Sequence, residues 1–394
     1  MGFLVIIFTF ILLFFFLTLS LFILRIFTGK SIRNPNYPPV KGTVYHQFLY
    51  LNRLYDYQTE VAKTQSTYRL LAPHHSELYT TDARNVEHVL KTNFASYSKG
   101  AYTQAILSDV FGQGIFVVDG EKWKQQRKLA SFEFSTRVLR DVSCSVFRRN
   151  AAKLVKVVFE ISGSNGVFDM QDLLMRCTLD SIFKVGFGID LNCLEGSSKE
   201  GTAFMKAFDE STALSYFRYV DPFWKLKRFL NLGSEASLKK YIKVIDDFVH
   251  QVIRSKRKLL EEQKDVDGRY AEVDDILPDG FRVRKGDGVN YMTYAMGRMP
   301  YIWGKDADDF RPERWLNNGI FQPESPFKFV AFHAGPRICL GKDFAYRQMK
   351  IVATALLCFF RFKLADETKS VTYRTMFTLH IDGSLPMVAV PRTA

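Results

Sequence analysis

The stretch that decides the fold reads Pro326-Phe-Lys-Phe-Val-Ala-Phe-His-Ala-Gly-Pro-Arg-Ile-Cys-Leu-Gly-Lys-Asp-Phe-Ala-Tyr346. Its cysteine, Cys339, lies in a loop with Gly335 and Gly341, directly before a segment of helical apolar spacing. A helix N-terminus presents free N–H groups and a partial positive charge, and both stabilise a thiolate. The sequence therefore predicts a thiolate at Cys339.

The neighbours of Cys339 suit a flat ligand that carries carboxylates. Glycine at 335 and 341 lets the backbone approach such a ligand without a Cβ clash. Arg337 offers a permanent positive charge to a carboxylate. Phe332 is predicted to shield the sulfur from water.

The pattern Phe332-x-x-Gly335-x-Arg337-x-Cys339-x-Gly341 resembles the haem-binding loop of the cytochromes P450, with every fixed position present. The resemblance implies a mainly α fold with a minor β-sheet and a haem-thiolate monooxygenase. It also implies haem b as cofactor, with Cys339 as the iron ligand. The other cysteines are interpreted as core residues: Cys144, Cys177, Cys193 and Cys358.

Two further stretches are similar to family motifs. The segment Phe310-Arg-Pro-Glu-Arg-Trp315 resembles the family's Pro-Glu-Arg-Phe, with Trp replacing Phe. The segment Trp123-Lys-Gln-Gln-Arg127 resembles the Trp-x-x-x-Arg helix, whose Trp and Arg reach the haem propionates in the family. Without that context, a Trp/Arg pair on a helix indicates surface packing.

Basic residues crowd the same helix, at Lys122, Lys124 and Lys128. They suit docking of an NADPH-cytochrome P450 reductase, although a solvated basic face explains them as well. The net charge of +13 favours an anionic membrane surface and an acidic partner protein. No nucleic-acid motif occurs, so we expect no nucleic acid among the partners. Five scattered cysteines without a Cys-x-x-Cys pair argue against a disulfide framework or a zinc site.

The N-terminal segment predicts a membrane anchor. Gly2 to Leu24 carries no charge and is long enough to cross a bilayer as one helix. Basic residues follow it and none precedes it, which places the body in the cytosol. A cleaved signal peptide would have a basic start and a small-residue cleavage site. We expect a single-pass protein of the endoplasmic reticulum membrane: anchor 1–24, Pro-rich hinge 25–44 and haem-thiolate domain 45–394.

Three elements of the body can be predicted from residue spacing. An amphipathic helix is expected over Ser237–Gln263. A second helix is expected after Cys339, with its apolar face made by Phe344, Met349, Val352, Leu356 and Phe359. Asp382-Gly383 predicts a tight hairpin between runs 371–381 and 384–390.

Details of the Cys339 region resemble the plant clan that hydroxylates fatty acids at or near the ω-carbon. By position in the family, pocket contacts are expected from Tyr102 to Phe116 and from Phe377 to Leu379. A fatty acid is therefore the predicted substrate.

One large internal block is missing relative to the family. No Glu is followed three positions later by Arg, so the Glu-x-x-Arg partner of Arg314 is absent. The central helix with Ala-Gly-x-Asp/Glu-Thr, which delivers protons during oxygen activation, is absent as well. Both belong between the landmarks Gln263 and Tyr270, so the sequence indicates an internal deletion at about 263–270.

The deletion leaves several functions open. One is an active monooxygenase. Another is a truncated, inactive membrane-bound form that competes for the reductase or has no activity. A third is a relative that rearranges hydroperoxides, but such relatives keep Glu-x-x-Arg, which argues against this alternative.

Overall fold

The computed structural model describes residues 2–28, 34–72, 75–135, 137–164, 166–256 and 269–392. The predicted deletion point, at about 263–270, lies almost entirely outside the described residues. The chain forms two compact units. The first unit comprises 1–100 and 267–338, and the second comprises 101–266 and 339–394, so the predicted domain 45–394 divides between them.

The described helices are α1 Gly2–Thr28, α2 Leu54–Thr64, α3 Ala83–Glu87, α4 Gly100–Phe111, α5 Gly120–Ser135, α6 Arg137–Gly163, α7 Met170–Phe187, α8 Lys199–Phe217, α9 Trp224–Leu230, α10 Gly233–Lys256, α11 Thr293–Met296, α12 Pro300–Trp303 and α13 Lys342–Phe359. Short 3-10 helices cover Val44–Arg53, Phe94–Ser96, Pro312–Trp315 and Gly335–Arg337, and a π-helical turn covers His88–Thr92.

The described strands are β1 Val40–Thr43, β2 Thr67–Leu71, β3 Ser76–Thr80, β4 Tyr97–Ser98, β5 Phe168–Asp169, β6 Arg269–Ala271, β7 Asp275–Ile276, β8 Arg282–Val283, β9 Gly288–Tyr291, β10 Leu316–Asn317, β11 Ile320–Phe321, β12 Phe360–Leu364, β13 Tyr373–Arg374, β14 His380–Ile381 and β15 Pro386–Pro391.

The first unit is built on a six-stranded sheet of order β1-β2-β3-β9-β6-β4. Its core buries Leu78, Val89, Leu90 and Val289, together with Ala334 of the cysteine loop. Residues of the predicted hinge are tied to this sheet. Arg69 Nε donates to the Pro38 carbonyl at 2.9 Å, and the Tyr37 ring lies between the guanidinium groups of Arg69 and Arg284.

The second unit is mainly helical, and α6, α7 and α13 pack together in it. Its larger core joins Leu154, Val158, Val352, Leu356 and Phe360. A three-stranded sheet of order β12-β15-β5 lies beside these helices. The mainly α fold with a minor sheet is therefore confirmed.

The predicted amphipathic helix is present as α10, whose Ile245, Phe248 and Val252 are buried. Its predicted continuation from 257 to 263 lies outside the described residues. The helix after Cys339 is also present, but its predicted apolar face is partly wrong. Val352 and Leu356 are buried against α6, whereas Met349 and Phe359 are 49% and 57% exposed.

The predicted hairpin across Asp382-Gly383 is wrong. The strand before this turn, β14, pairs with β13, and the strand after it, β15, pairs with β12 and β5. Gly383 does adopt the left-handed backbone of a turn, with φ of +83°. The turn therefore connects two sheets, because the pairing partners of β15 lie elsewhere in the chain.

Helix α1 fits the predicted anchor by length and composition. Its window Ile6–Ile23 is strongly hydrophobic and uncharged and none of it is buried, a composition that it shares with signal sequences. The helix is therefore a candidate membrane span.

Candidate active site

The structure places the predicted site residues in both units. Phe332, Gly335 and Arg337 belong to the first unit. The second unit holds Trp123 and Arg127 on α5, and Cys339 and Gly341 at the start of α13.

In the first unit, the loop before the cysteine is fixed by a close backbone contact. Gly335 has φ of +66°, and a Cβ on it would lie 1.8 Å from the Leu90 carbonyl oxygen. The Tyr291 hydroxyl is 3.0 Å from His333 Nδ1, and His333 has a left-handed φ of +56°. Arg337 is buried, with 3% exposure. A contact within the protein thus requires glycine at 335, and the close approach of Gly335 to a ligand stays a prediction.

Replacing Gly335 by Ala should destabilise the first unit by about 1–3 kcal/mol or more, because a left-handed backbone and a backbone clash combine. The measurement is urea unfolding followed by tryptophan fluorescence. Gly319→Ala is the matched control, since Gly319 has φ of +77° but nothing within 4 Å of its Cβ position. Equal shifts in the two variants would contradict the role of the Leu90 contact.

In the second unit, Cys339 immediately precedes the first turn of α13. Gly341 is the N-cap of this 18-residue helix, and no side chain caps its end. The Lys342 N–H donates to the Cys339 carbonyl at 3.4 Å, so the residue that bears the partly exposed thiol is hydrogen-bonded to the first residue of the helix. Cys358 lies in the last turn of the same helix, where the partial charge is negative and opposes a thiolate.

The remaining cysteines are poor thiolate candidates. Burial raises the pKa of the Cys177 thiol to about 12, and the nearby Asp180 carboxylate adds to this effect. Burial likewise raises the pKa of Cys193 to about 11. Cys144 lies within α6, away from either helix end. Among the five thiols, Cys339 alone combines solvent access with a helix N-terminus, which is the chemistry that a haem-thiolate ligand needs.

The Trp123-x-x-x-Arg127 pair lies on α5 as predicted, one turn apart, with Trp123 buried and Arg127 half-buried. Lys122, Lys124 and Lys128 of the same helix are all exposed. Lys124 pairs with Glu121 within the helix. A basic, solvent-facing surface is thus available for an acidic partner.

The two segments expected to form the pocket both contact Tyr219 in the second unit. The Tyr102 ring packs edge-on against Tyr219, with centroids 6.1 Å apart. The Phe377 ring packs edge-on against Tyr216 and Tyr219, at 5.2 and 6.0 Å. We call these four residues the aromatic cluster. Sequence analysis missed Tyr216 and Tyr219, although two tyrosines three positions apart at a helix end were a usable signal.

One buried arginine fixes α4 against the end of α8. Arg218 is 2% exposed and pairs with both carboxylate oxygens of Glu235, at 2.9 and 2.6 Å. It also donates to the Ile106 carbonyl and lies 2.7 Å from Asp109, while its own carbonyl accepts from the Tyr102 hydroxyl. Arg218 therefore holds one face of α4, including Tyr102, in place.

Arg314 has acceptors despite the missing Glu-x-x-Arg motif. Its guanidinium donates to the carbonyls of Trp303, Asp306 and Asp309 at 2.9, 2.9 and 3.3 Å. The Asp306 carboxylate lies 3.7 Å away. Groups close in sequence thus bind the Arg314 guanidinium in place of the absent Glu-x-x-Arg partner.

Comparison with known proteins decides the family. The sequence model of the cytochrome P450 family matches residues 35–274 and 267–385. The chain belongs to the cytochrome P450 family. It is accordingly a haem-thiolate monooxygenase by descent, and the family implies a haem held by a cysteine thiolate.

Similar plant proteins extend over nearly the whole chain. Cytochrome P450 704C1 of Pinus taeda is 41% identical over 480 residues, covering 90% of this chain and 92% of the relative. Cytochrome P450 704B1 of Arabidopsis thaliana is 33% identical, covering 92% and 96%. Cytochrome P450 86B1 of Arabidopsis thaliana is 31% identical, covering 86% and 82%.

The comparisons also support the internal deletion. Because 90% of 394 residues is about 355, about 125 of the 480 aligned positions contain no residue of this chain. The family model matches the chain in two segments, and these two segments overlap over residues 267–274. This position agrees with the break inferred from the landmarks Gln263 and Tyr270.

Proposed function

We propose that this chain derives from a monooxygenase that hydroxylates a fatty acid at or near the ω-carbon, with Cys339 as the ligand of haem b. The position of Cys339 at the start of α13, inside the complete loop pattern, is the observation that carries the proposal. When bound, haem supplies oxygen activation, which a thiolate ligand promotes by donating electron density to the iron. Trp123, Arg127 and Arg337 are the residues proposed to hold the propionates.

The fatty-acid assignment is supported by the clan resemblance and by the aromatic cluster. Tyr102, Tyr216, Tyr219 and Phe377 offer ring faces and edges to an alkyl chain. Apolar area removed from water contributes about 25 cal/mol per Å², so an alkyl chain binds well to such a surface. The aromatic cluster contains no carboxylate and no base, so the proposed role of its residues is to bind and orient the substrate.

The test is spectral titration of a form with the missing block restored, using dodecanoic and hexadecanoic acids. We expect a low-to-high-spin shift on binding. Phe377→Ala should weaken binding about tenfold, since losing one aromatic contact surface costs about 1.4 kcal/mol. Phe159→Ala is the control, because its ring lies near Phe360 in a different part of the unit. No spin shift with either acid would contradict the proposed substrate.

For membrane attachment, we propose that α1 anchors the protein in the endoplasmic reticulum membrane with the body in the cytosol. Alkaline carbonate extraction of microsomes should leave the chain in the pellet, since the apolar window Ile6–Ile23 is long enough to span the bilayer. A variant that begins at residue 25 should be released. Release of the intact chain would contradict the anchor.

Electrons are proposed to come from an NADPH-cytochrome P450 reductase that docks on the lysines of α5. The missing block favours a second function for this chain, a membrane-bound form that occupies the reductase without turnover. Adding this chain to a full-length relative and limiting reductase should then lower product formation. Lys122→Glu with Lys124→Glu should remove that inhibition, whereas inhibition that persists would contradict docking on α5.

A further inference from the structure

The hairpin that carries Phe377 is too short to be stable by its own strand pairing. Strands β13 and β14 share two residue pairs, Tyr373 with Ile381 and Arg374 with His380. An isolated two-stranded hairpin of this kind is marginal in water. Contacts outside the hairpin must therefore fix its position.

Side chains of two neighbouring helices supply polar contacts of this kind. The Arg374 guanidinium donates to both carboxylate oxygens of Glu210 on α8, at 2.8 and 2.7 Å. On the other strand, the Gln171 amide of α7 bonds to both the N–H and the carbonyl of Ile381, at 2.9 and 3.2 Å. The hydrogen bonds from Arg374 hold the pKa of Glu210 below its ordinary value, so the pair is charged at neutral pH.

The pair and the aromatic contacts attach the hairpin to one helix end at two points. Glu210 lies in α8, and Tyr216 and Tyr219 follow it near the end of the same helix. Arg374 precedes Phe377 by three residues. The ion pair therefore holds the strand that precedes the loop 375–379, and the tyrosine rings contact Phe377 in the middle of that loop. A bidentate arginine–carboxylate pair fixes orientation as well as distance.

We propose that Glu210 and Arg374 are positioning residues that set the place of Phe377 in the aromatic cluster, and thereby enable the cluster to bind a fatty acid. The identity of the ligand rests on the proposed function, whereas the positioning of the loop does not. The two side chains are 27% and 37% exposed, so the pair contributes little to global stability. Its loss should therefore act locally on the loop.

The experiment is hydrogen exchange with mass spectrometry on the full chain in detergent micelles. Glu210→Arg and Arg374→Glu should each speed exchange in residues 371–382 about tenfold, through local opening, with the midpoint of global unfolding nearly unchanged. The double variant with both substitutions should restore slow exchange, because it rebuilds the pair in reverse. Glu195→Arg is the matched control, since it breaks a comparable pair, Lys153–Glu195 at 3.1 Å, elsewhere in the unit.

Dodecanoic acid is then added to the same samples. It should slow exchange around Tyr216–Tyr219 and Phe377 in the natural chain and in the double variant, but not in the single variants. Unchanged exchange in Glu210→Arg, or no rescue by the double variant, would overturn the positioning role. Normal rescue without any effect of dodecanoic acid, on either the natural chain or the chain with the missing block restored, would leave that role standing and overturn the fatty acid as ligand.

Discussion

Restoring the missing block between Gln263 and Tyr270 should raise product formation at least about 100-fold, because a positioned proton-delivery group is commonly worth 10²–10⁴-fold. The family places an acid and a hydroxyl for this step on the central helix, and no counterpart follows α10 before β6 in the sequence. The assay is turnover with reductase and NADPH, comparing the natural chain with the restored one at equal protein concentration.

The restored chain carrying Cys339→Ala provides the control for this comparison, since it has the block but lacks the proposed iron ligand. Comparable product formation by the natural and restored chains would show that the block is dispensable. The expected effect depends chiefly on proton delivery. Arg314 is held by three carbonyl groups and Asp306, so loss of its Glu-x-x-Arg partner should cost less than the sequence alone indicates.

Replacing Cys339 by Ala should abolish the thiolate-type absorption band of any haem that the chain binds. The thiol stands at the positive end of α13, whereas Cys177 and Cys193 are buried with raised pKa values. Cys144→Ala should keep the band. Cys358→Ala is the closest control because Cys358 lies on the same helix at the opposite end, and it should keep the band as well. A band that survives Cys339→Ala would disprove the assignment.

The family could be predicted from the sequence because the residues of its cysteine loop suit the start of a helix. Cys339 and Gly341 stand where a helix begins, and the helix does begin there. The amphipathic spacing of α10 was equally reliable, since Phe248 and Val252 are buried as their periodicity predicts. The helix start and the apolar spacing both depend on residues close together in the chain, so one sequence is enough to recognise them.

The failures concern partners that are distant in sequence. Asp382-Gly383 forms a turn, yet the strands around it pair with β13 on one side and β12 on the other. The apolar spacing predicted that Met349 and Phe359 belong to the buried face of α13. Both are exposed, because the neighbouring helix α6 covers only part of that face. The ion pair of Glu210 with Arg374 spans 164 residues, a separation at which no sequence pattern connects the two side chains.

The acceptors of Arg314 have a consequence for the order of folding. They lie 11, 8 and 5 residues before it, so each loop that these bonds close is short. Closing a short loop costs little chain entropy, and local contacts form early. The segment from Trp303 to Trp315 can therefore take shape as it leaves the ribosome, without waiting for any distant part of the chain. A transcript that loses a large internal block would still encode every group that these bonds join.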